Sequence, residues 1–175
     1  MRGAPAGPTM GAEVDAVTTI DDFFAGKRYA LVELDPAVSG FARAVYDRLL
    51  EAGREPVLVL AAPSPGVLDL VPAVYASVAG VPGPLDGVVL NVEGDPERVL
   101  REVRGAAAKG VPRVWIENRC AGDAAVAFAL AHGMEVVDGA CSLLALDHHH
   151  FHWLHRKALD ALGQTPRVLV AQAAG

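Results

Sequence analysis

The chain has 175 residues, 52% of them apolar and 21% charged, with a net charge of −6 at neutral pH. That length supports one domain with a sizeable core and is too short for two ordinary ones. The acidic balance, with lysine only at positions 27, 109 and 157, argues against a nucleic-acid partner, which would need a basic face.

Residues 1–17, rich in Gly, Ala and Pro, read as a disordered arm without the apolar middle of a signal peptide. Ile20, Phe23 and Phe24, behind Thr18 or Thr19 as cap, predict a short helix that ends near Gly26. Tyr29 to Val32 then forms a first strand. It breaks at Glu33-Leu34-Asp35-Pro36 into a helix whose face is Val38, Phe41, Ala42, Val45 and Leu49, closed by Gly53. Asp35 and Pro36 read as the N-cap and first residue of that helix.

Val57 to Leu60 is a second apolar run, stopped by Pro63, Pro65 and Gly66. A short helix is expected within 67–79. Val88, Val89 and Leu90 mark a third strand. Asp95-Pro96 repeats the cap-then-proline device before Val99, Leu100, Val103 and Ala107, and Gly110 closes that helix. Arg113 to Glu117 is a fourth strand, 123–132 a helix, and Met134 to Val137 a fifth strand.

Alternation of strands and helices predicts an α/β domain with a five-stranded parallel sheet and helices on both faces. The domain spans 18–166, with 167–175 as a tail. Right-handed crossovers place the loops after every strand on one edge, where ligands of such sheets bind.

Asp147 caps an expected last helix that runs to Gly163. His148, His152 and His155 line up at the border of its apolar stripe. Histidines three or four apart on a helix can share a metal ion, but HxxH alone lacks a third ligand, so a divalent metal is not the favoured cofactor. Cys120 and Cys141 are not a CxxC pair and are expected as reduced thiols. No serine sits in a GxSxG pattern, and no catalytic residue is predicted. No run reaches the about 18 apolar residues of a membrane span, so the chain is expected in the cytoplasm with no membrane partner.

In their order, four stretches resemble the stand-alone CoA-binding proteins, Rossmann-like domains similar to the CoA-binding domain of the succinyl-CoA synthetase α subunit. They are Ile20 to Val32; Tyr75-Ala-Ser-Val with Pro82 and Leu85-Asp86-Gly87-Val88; Val114-Trp115-Ile116; and Gly133 to Cys141 followed by His152-Trp-Leu-His155-Arg156 and Gly163 to Pro166. The resemblance implies CoA or acyl-CoA as ligand, held at Glu33, Asp35, Pro36, Ala37, Ser39, Pro63, Asn91, Pro96, Asn118 and Cys141.

The chain departs from the family at the first turn, where glycine, a variable residue and serine are usual and Glu33 and Asp35 stand instead. A carboxylate about 5 Å from a phosphate costs roughly 3 kcal/mol at an effective dielectric near 20. Three functions are therefore weighed. The first is a non-catalytic CoA or acyl-CoA binding module. The second is a degenerate member that acts as an interaction or regulatory protein, with a homodimer as its assembly. The third is an enzyme or metal protein built from the acidic edge and the histidine strip.

Overall fold

The computed structural model describes residues 12–13, 22–117, 120, 122–146 and 167–170. Within them one sheet holds β1 (Ala12–Glu13), β2 (Arg28–Val32), β3 (Glu55–Val59), β4 (Val74–Tyr75), β5 (Gly87–Leu90), β6 (Arg113–Glu117), β7 (Glu135–Ala140) and β8 (Arg167–Val170). The order across the sheet is β1-β8-β7-β6-β5-β2-β3-β4. Strands β2 to β7 are all parallel, whereas β8 runs antiparallel to β7 and β1 antiparallel to β8.

The five strands expected from the sequence are β2, β3, β5, β6 and β7, so the expected five-stranded parallel sheet is corrected to a larger, mixed one. The three additional strands, β1, β4 and β8, have physical reasons. Ala12–Glu13, in the stretch read as a disordered arm, is ordered by antiparallel pairing with Leu169 and Val170 of β8. Val74–Tyr75 is too short to show a period of its own and falls where a helix was expected. Arg167–Val170 lies in the stretch read as a tail, yet it supplies the main-chain partners that the free edge of β7 would otherwise lack.

From β2 the chain winds outward through β3 to β4, returns to the other side of β2 as β5, and continues through β6 to β7. The winding direction reverses between β2 and β5. In open α/β sheets such a reversal leaves a crevice at the carboxyl ends of the two strands.

Helices α1 (Gly40–Glu51), α2 (Val67–Leu70), α3 (Pro96–Ala108), α4 (Asp123–Ala131) and α5 (Ser142–Leu146) cover both faces. Val99, Val103 and Ala106 of α3 and Ala125 and Ala129 of α4 pack on Ala30, Val32, Val88, Leu90, Val114 and Ile116. On the opposite face Ala42, Val45 and Leu49 of α1, Val67 of α2 and Leu146 of α5 cover Leu31, Val89, Trp115 and Val137. Alternate residues of each central strand thus enter different cores, and the strands are apolar throughout because neither face meets water.

Four rings bind the lead-in segment to the second core. Phe23 meets Trp115 edge-on at 5.2 Å and Phe24 at 5.0 Å, and Phe24 lies 5.3 Å from Tyr29. The polar ends of these rings are paired: Tyr29 Oη donates to Phe23 O at 3.0 Å and Trp115 Nε1 to Ala140 O at 2.9 Å. Asp86 Oδ2 accepts the N–H groups of Lys27 and Arg28 at 2.7 and 2.8 Å, which sets the start of β2 beside β5.

The first helix begins later than its sequence predicts. Ser39, not Asp35, is its N-cap, and Ser39 Oγ accepts from Ala42 N at 3.3 Å. Residues 36–38 instead form a turn closed by the N–H groups of Val38 and Ser39 on Asp35 O. Val38, expected on the buried face, is therefore outside the helix and 71% exposed. The second Asp-Pro pair does cap as expected, with Asp95 Oδ1 accepting from Arg98 N at 2.9 Å ahead of Pro96.

A Cβ at Gly26 would lie 2.4 Å from Asp86 Cβ and 2.8 Å from Tyr29 Oη. Gly26→Ala should therefore cost about 1–3 kcal/mol, a fall of roughly 3–9 °C in Tm. An unchanged melting curve would contradict this packing of the β2 entrance.

Candidate functional site

The loops that follow β2, β3, β5, β6 and β7 share the carboxyl edge, and the crevice between β2 and β5 lies at its centre. Glu33 leaves β2 with φ +56, in the left-handed region. No other non-glycine residue among those described does so. The conformation costs an L residue about 1–2 kcal/mol, and it is the one a glycine would adopt freely. The turn thus holds a carboxylate residue in a backbone conformation that glycine would adopt without strain.

That carboxylate is not directed at open solvent. Glu33 Oε1 lies 2.5 Å from Arg98 Nη2 and accepts the Ala61 N–H at 2.8 Å. Arg98, in the first turn of α3, has a side chain only 11% exposed. Its Nε is 4.0 Å from Glu102 Oε1, and Glu102, 2% exposed, accepts the Val78 N–H at 2.8 Å through its other oxygen. A polar chain of carboxylate, guanidinium and carboxylate therefore ties the turn after β2 to the loop after β3 and to α3. A guanidinium that deep needs such partners, since an unpaired buried charge is strongly destabilising.

Asp35 bridges two loops as well. Its Oδ1 accepts from Ala37 N at 2.9 Å and its Oδ2 from Ser64 N at 2.9 Å. Burial would raise this carboxyl, but the Ser64 side chain and N–H and the Ala37 N–H outweigh it and hold the group below its ordinary value. Asp35 is thus an ionised acceptor between the first and second loops rather than a helix cap.

On the other side of the crevice, a cleft of about 410 Å³ is lined by Pro96, Cys120, Gly122, Asp123, Ala124, Ala125 and Asp138. Burial pushes the Cys120 thiol up to about 11, and its Sγ donates to Leu90 O at 3.4 Å. Burial raises the Cys141 thiol too. Both cysteines are thiols at neutral pH, not the thiolates that nucleophilic chemistry requires. Glu117 ends β6, 4% exposed, with Oε1 accepting the Ser142 N–H at 3.0 Å. Burial pushes its carboxyl up to about 7, against the lowering effect of Ser142.

Of the residues expected to hold a ligand, Glu33, Asp35, Pro36, Ala37 and Ser39 form the turn after β2, and Pro63 belongs to the adjoining loop that Asp35 reaches. Asn91 continues β5 beside β2, its N–H on Val32 O at 3.0 Å. Pro96 opens α3 and is the only one of them among the described residues lining the cleft. Cys141 sits half-buried between β7 and α5. Asn118, and the histidine helix with His148, His152 and His155, lie outside the described residues. Within the described residues no three His, Cys, Asp or Glu side chains gather to hold a metal ion, and no helix is long and apolar enough to cross a membrane.

Arg98 and Glu102 were not among the residues expected from the sequence. A signal was there: Glu102 falls in line with Val99, Val103 and Ala106, and a glutamate inside an apolar helical stripe must be paired, here with the arginine four residues before it.

The raised Glu117 carboxyl makes stability depend on pH. Between 4.5, its ordinary value, and about 7 the folded protein keeps a proton that the unfolded chain has released. This contribution is therefore complete below 4.5 and is lost as pH rises through about 7, a change on the order of 3 kcal/mol. Glu117→Gln keeps the acceptor for Ser142 and cannot titrate. The difference in unfolding free energy between wild type and variant, from denaturant titrations across this range, should drift by that amount. A constant difference would refute the burial of an ionisable group here.

Solved structures share the fold. The chain is similar to a hypothetical protein from Pyrococcus horikoshii OT3 (22% identity, TM-score 0.63, covering 80% of this chain and 96% of that one). It is also similar to Prb, a protein redesigned for binding (23% identity, TM-score 0.62, covering 84% and 94%). A third is a conserved hypothetical protein from Pyrococcus furiosus (21% identity, TM-score 0.54, covering 68% and 98%). A comparison with curated proteins gave no match. The CoA binding domain family matches residues 27–147, which run from the start of β2 past the end of α5 and take in the first turn, the Arg98 helix and the cleft. The chain belongs to the CoA binding domain family.

Proposed function

We propose that the protein is a non-catalytic module that binds CoA or acyl-CoA at the crevice between β2 and β5. The observation that carries this reading is the family match over 27–147, which covers every loop bordering the crevice. The reversal of winding supports it, because nucleotides of doubly wound sheets dock at such a point. The donors in reach are the N–H groups of Gly40 and Phe41 at the start of α1, where helix geometry supplies no acceptor and favours phosphate, the Ala42 N–H being taken by Ser39 Oγ. The wide cleft beside Pro96 offers room for the remainder of the ligand. Burial keeps the Cys120 and Cys141 thiols protonated, so neither supplies a thiolate nucleophile beside the crevice, in keeping with a binding role.

A second reading has an observation of its own. The N–H groups of Ala37, Ala61 and Ser64 are already taken by Glu33 and Asp35, and the Arg98 guanidinium is ion-paired with Glu33. A member of the family in this state could stand without nucleotide and serve as an interaction protein.

Thermal unfolding with CoA and acetyl-CoA at millimolar concentration separates the two. A ligand at about a hundred times its Kd adds about 2.7 kcal/mol, a rise of roughly 5–10 °C in Tm. No rise with either ligand favours the interaction protein.

A further inference from the structure

We propose that Arg98 is an anion receptor held shut by Glu33, so that the Glu33–Arg98 pair is a latch across the β2–β5 crevice which a diphosphate group opens by taking the carboxylate's place. The inference rests on the nucleotide-binding reading above and adds to it the residue that gates the site.

Three observations carry it. First, the pair spans the crevice itself: Glu33 directly follows β2, and Arg98 lies in the helix that follows β5, their charged atoms 2.5 Å apart. Second, the two partners differ in accessibility. The Arg98 side chain is 11% exposed, with its Nε 4.0 Å from the buried Glu102 carboxylate, whereas Glu33 is 30% exposed. An incoming anion meets Glu33 first, and the arginine stays in place when Glu33 leaves. Third, the occupied geometry is a poor use of the guanidinium. Glu33 offers one oxygen, Oε1, shared between Arg98 and the Ala61 N–H, from a backbone at φ +56 that disfavours an L residue.

A diphosphate carries more charge and matches the guanidinium fork with two parallel hydrogen bonds. Its arrival releases both Arg98 and the Ala61 N–H to the ligand and lets the Glu33 side chain turn outward. Arg98 is never left unpaired, which satisfies the demand of a buried cation. The apparent affinity is then lower than the intrinsic one by the fraction of molecules in which the latch is open.

Titration calorimetry with inorganic pyrophosphate and with CoA, on wild type, Glu33→Gln, Glu33→Gly and Glu33→Gln/Arg98→Lys, tests this. Circular dichroism and melting curves establish that each protein is folded. Glu33→Gln and Glu33→Gly should each bind pyrophosphate at least tenfold more tightly than wild type, and adding Arg98→Lys should abolish the gain. Equal pyrophosphate affinity in wild type and both Glu33 variants overturns the latch, as does a gain that survives Arg98→Lys. If CoA binds all four proteins alike, the nucleotide-binding reading stands and the latch falls. If the Glu33 variants gain pyrophosphate binding while CoA binds none of the proteins, the latch stands and the CoA reading falls.

Discussion

The pairing of Arg28–Val32 on both sides positions the candidate site. This strand hydrogen-bonds in parallel to β3 on one side and β5 on the other, with Leu31 opposite Leu58 and Val89. Because β3 follows it directly and β5 arrives after β4, the chain changes direction around this strand. The two loops leaving β2 and β5 therefore diverge onto opposite faces, and a crevice remains between them. Asp86, bonded to the N–H groups of Lys27 and Arg28, and the rings of Phe23, Phe24, Tyr29 and Trp115 hold the start of the strand, so its far end can carry a strained residue.

At that far end, acidic side chains fill donor sites that would otherwise face the crevice. Considered alone, Glu33 and Asp35 repel a phosphate by several kcal/mol at close range. In the folded protein that repulsion is reduced, because Glu33 is neutralised by Arg98 and Asp35 is surrounded by N–H groups of Ala37 and Ser64. The same contacts create a different obstacle: the donors are occupied. The cost of binding an anion here is therefore largely one of exchange between two acceptors, not of bringing charge toward like charge.

The fold was legible where local pattern and tertiary environment agree. The run from Arg113 to Glu117 is apolar enough to be a strand buried on both faces, and it is one. Asp95-Pro96 fixes the start of α3 because the capping bond needs only residues within one turn. The first helix was placed too early because Asp35-Pro36 carries the same local signal. There the aspartate found a better acceptor role across space, at Ser64, and Ser39 was free to cap instead. Ala12–Glu13, Val74–Tyr75 and Arg167–Val170 are not legible as strands in the sequence, since their order comes from the edges they join, not from any period in so few residues.

The sequence by itself determined the succession of strands and helices, the apolar faces that bury them and, through four ordered motifs, the family to which the chain belongs. These depend on interactions between near neighbours and on hydrophobic periodicity, which a linear string records. Only the tertiary structure decided that Glu33 meets Arg98, that the buried Glu102 carboxylate lies within 4.0 Å of the same guanidinium, and that Glu33 takes up a left-handed backbone conformation. Glu33 and Arg98 are distant in the chain and are brought together by the return of β5 to the side of β2. The energy of a charge pair depends on separation and burial, and neither exists until the sheet has closed around them.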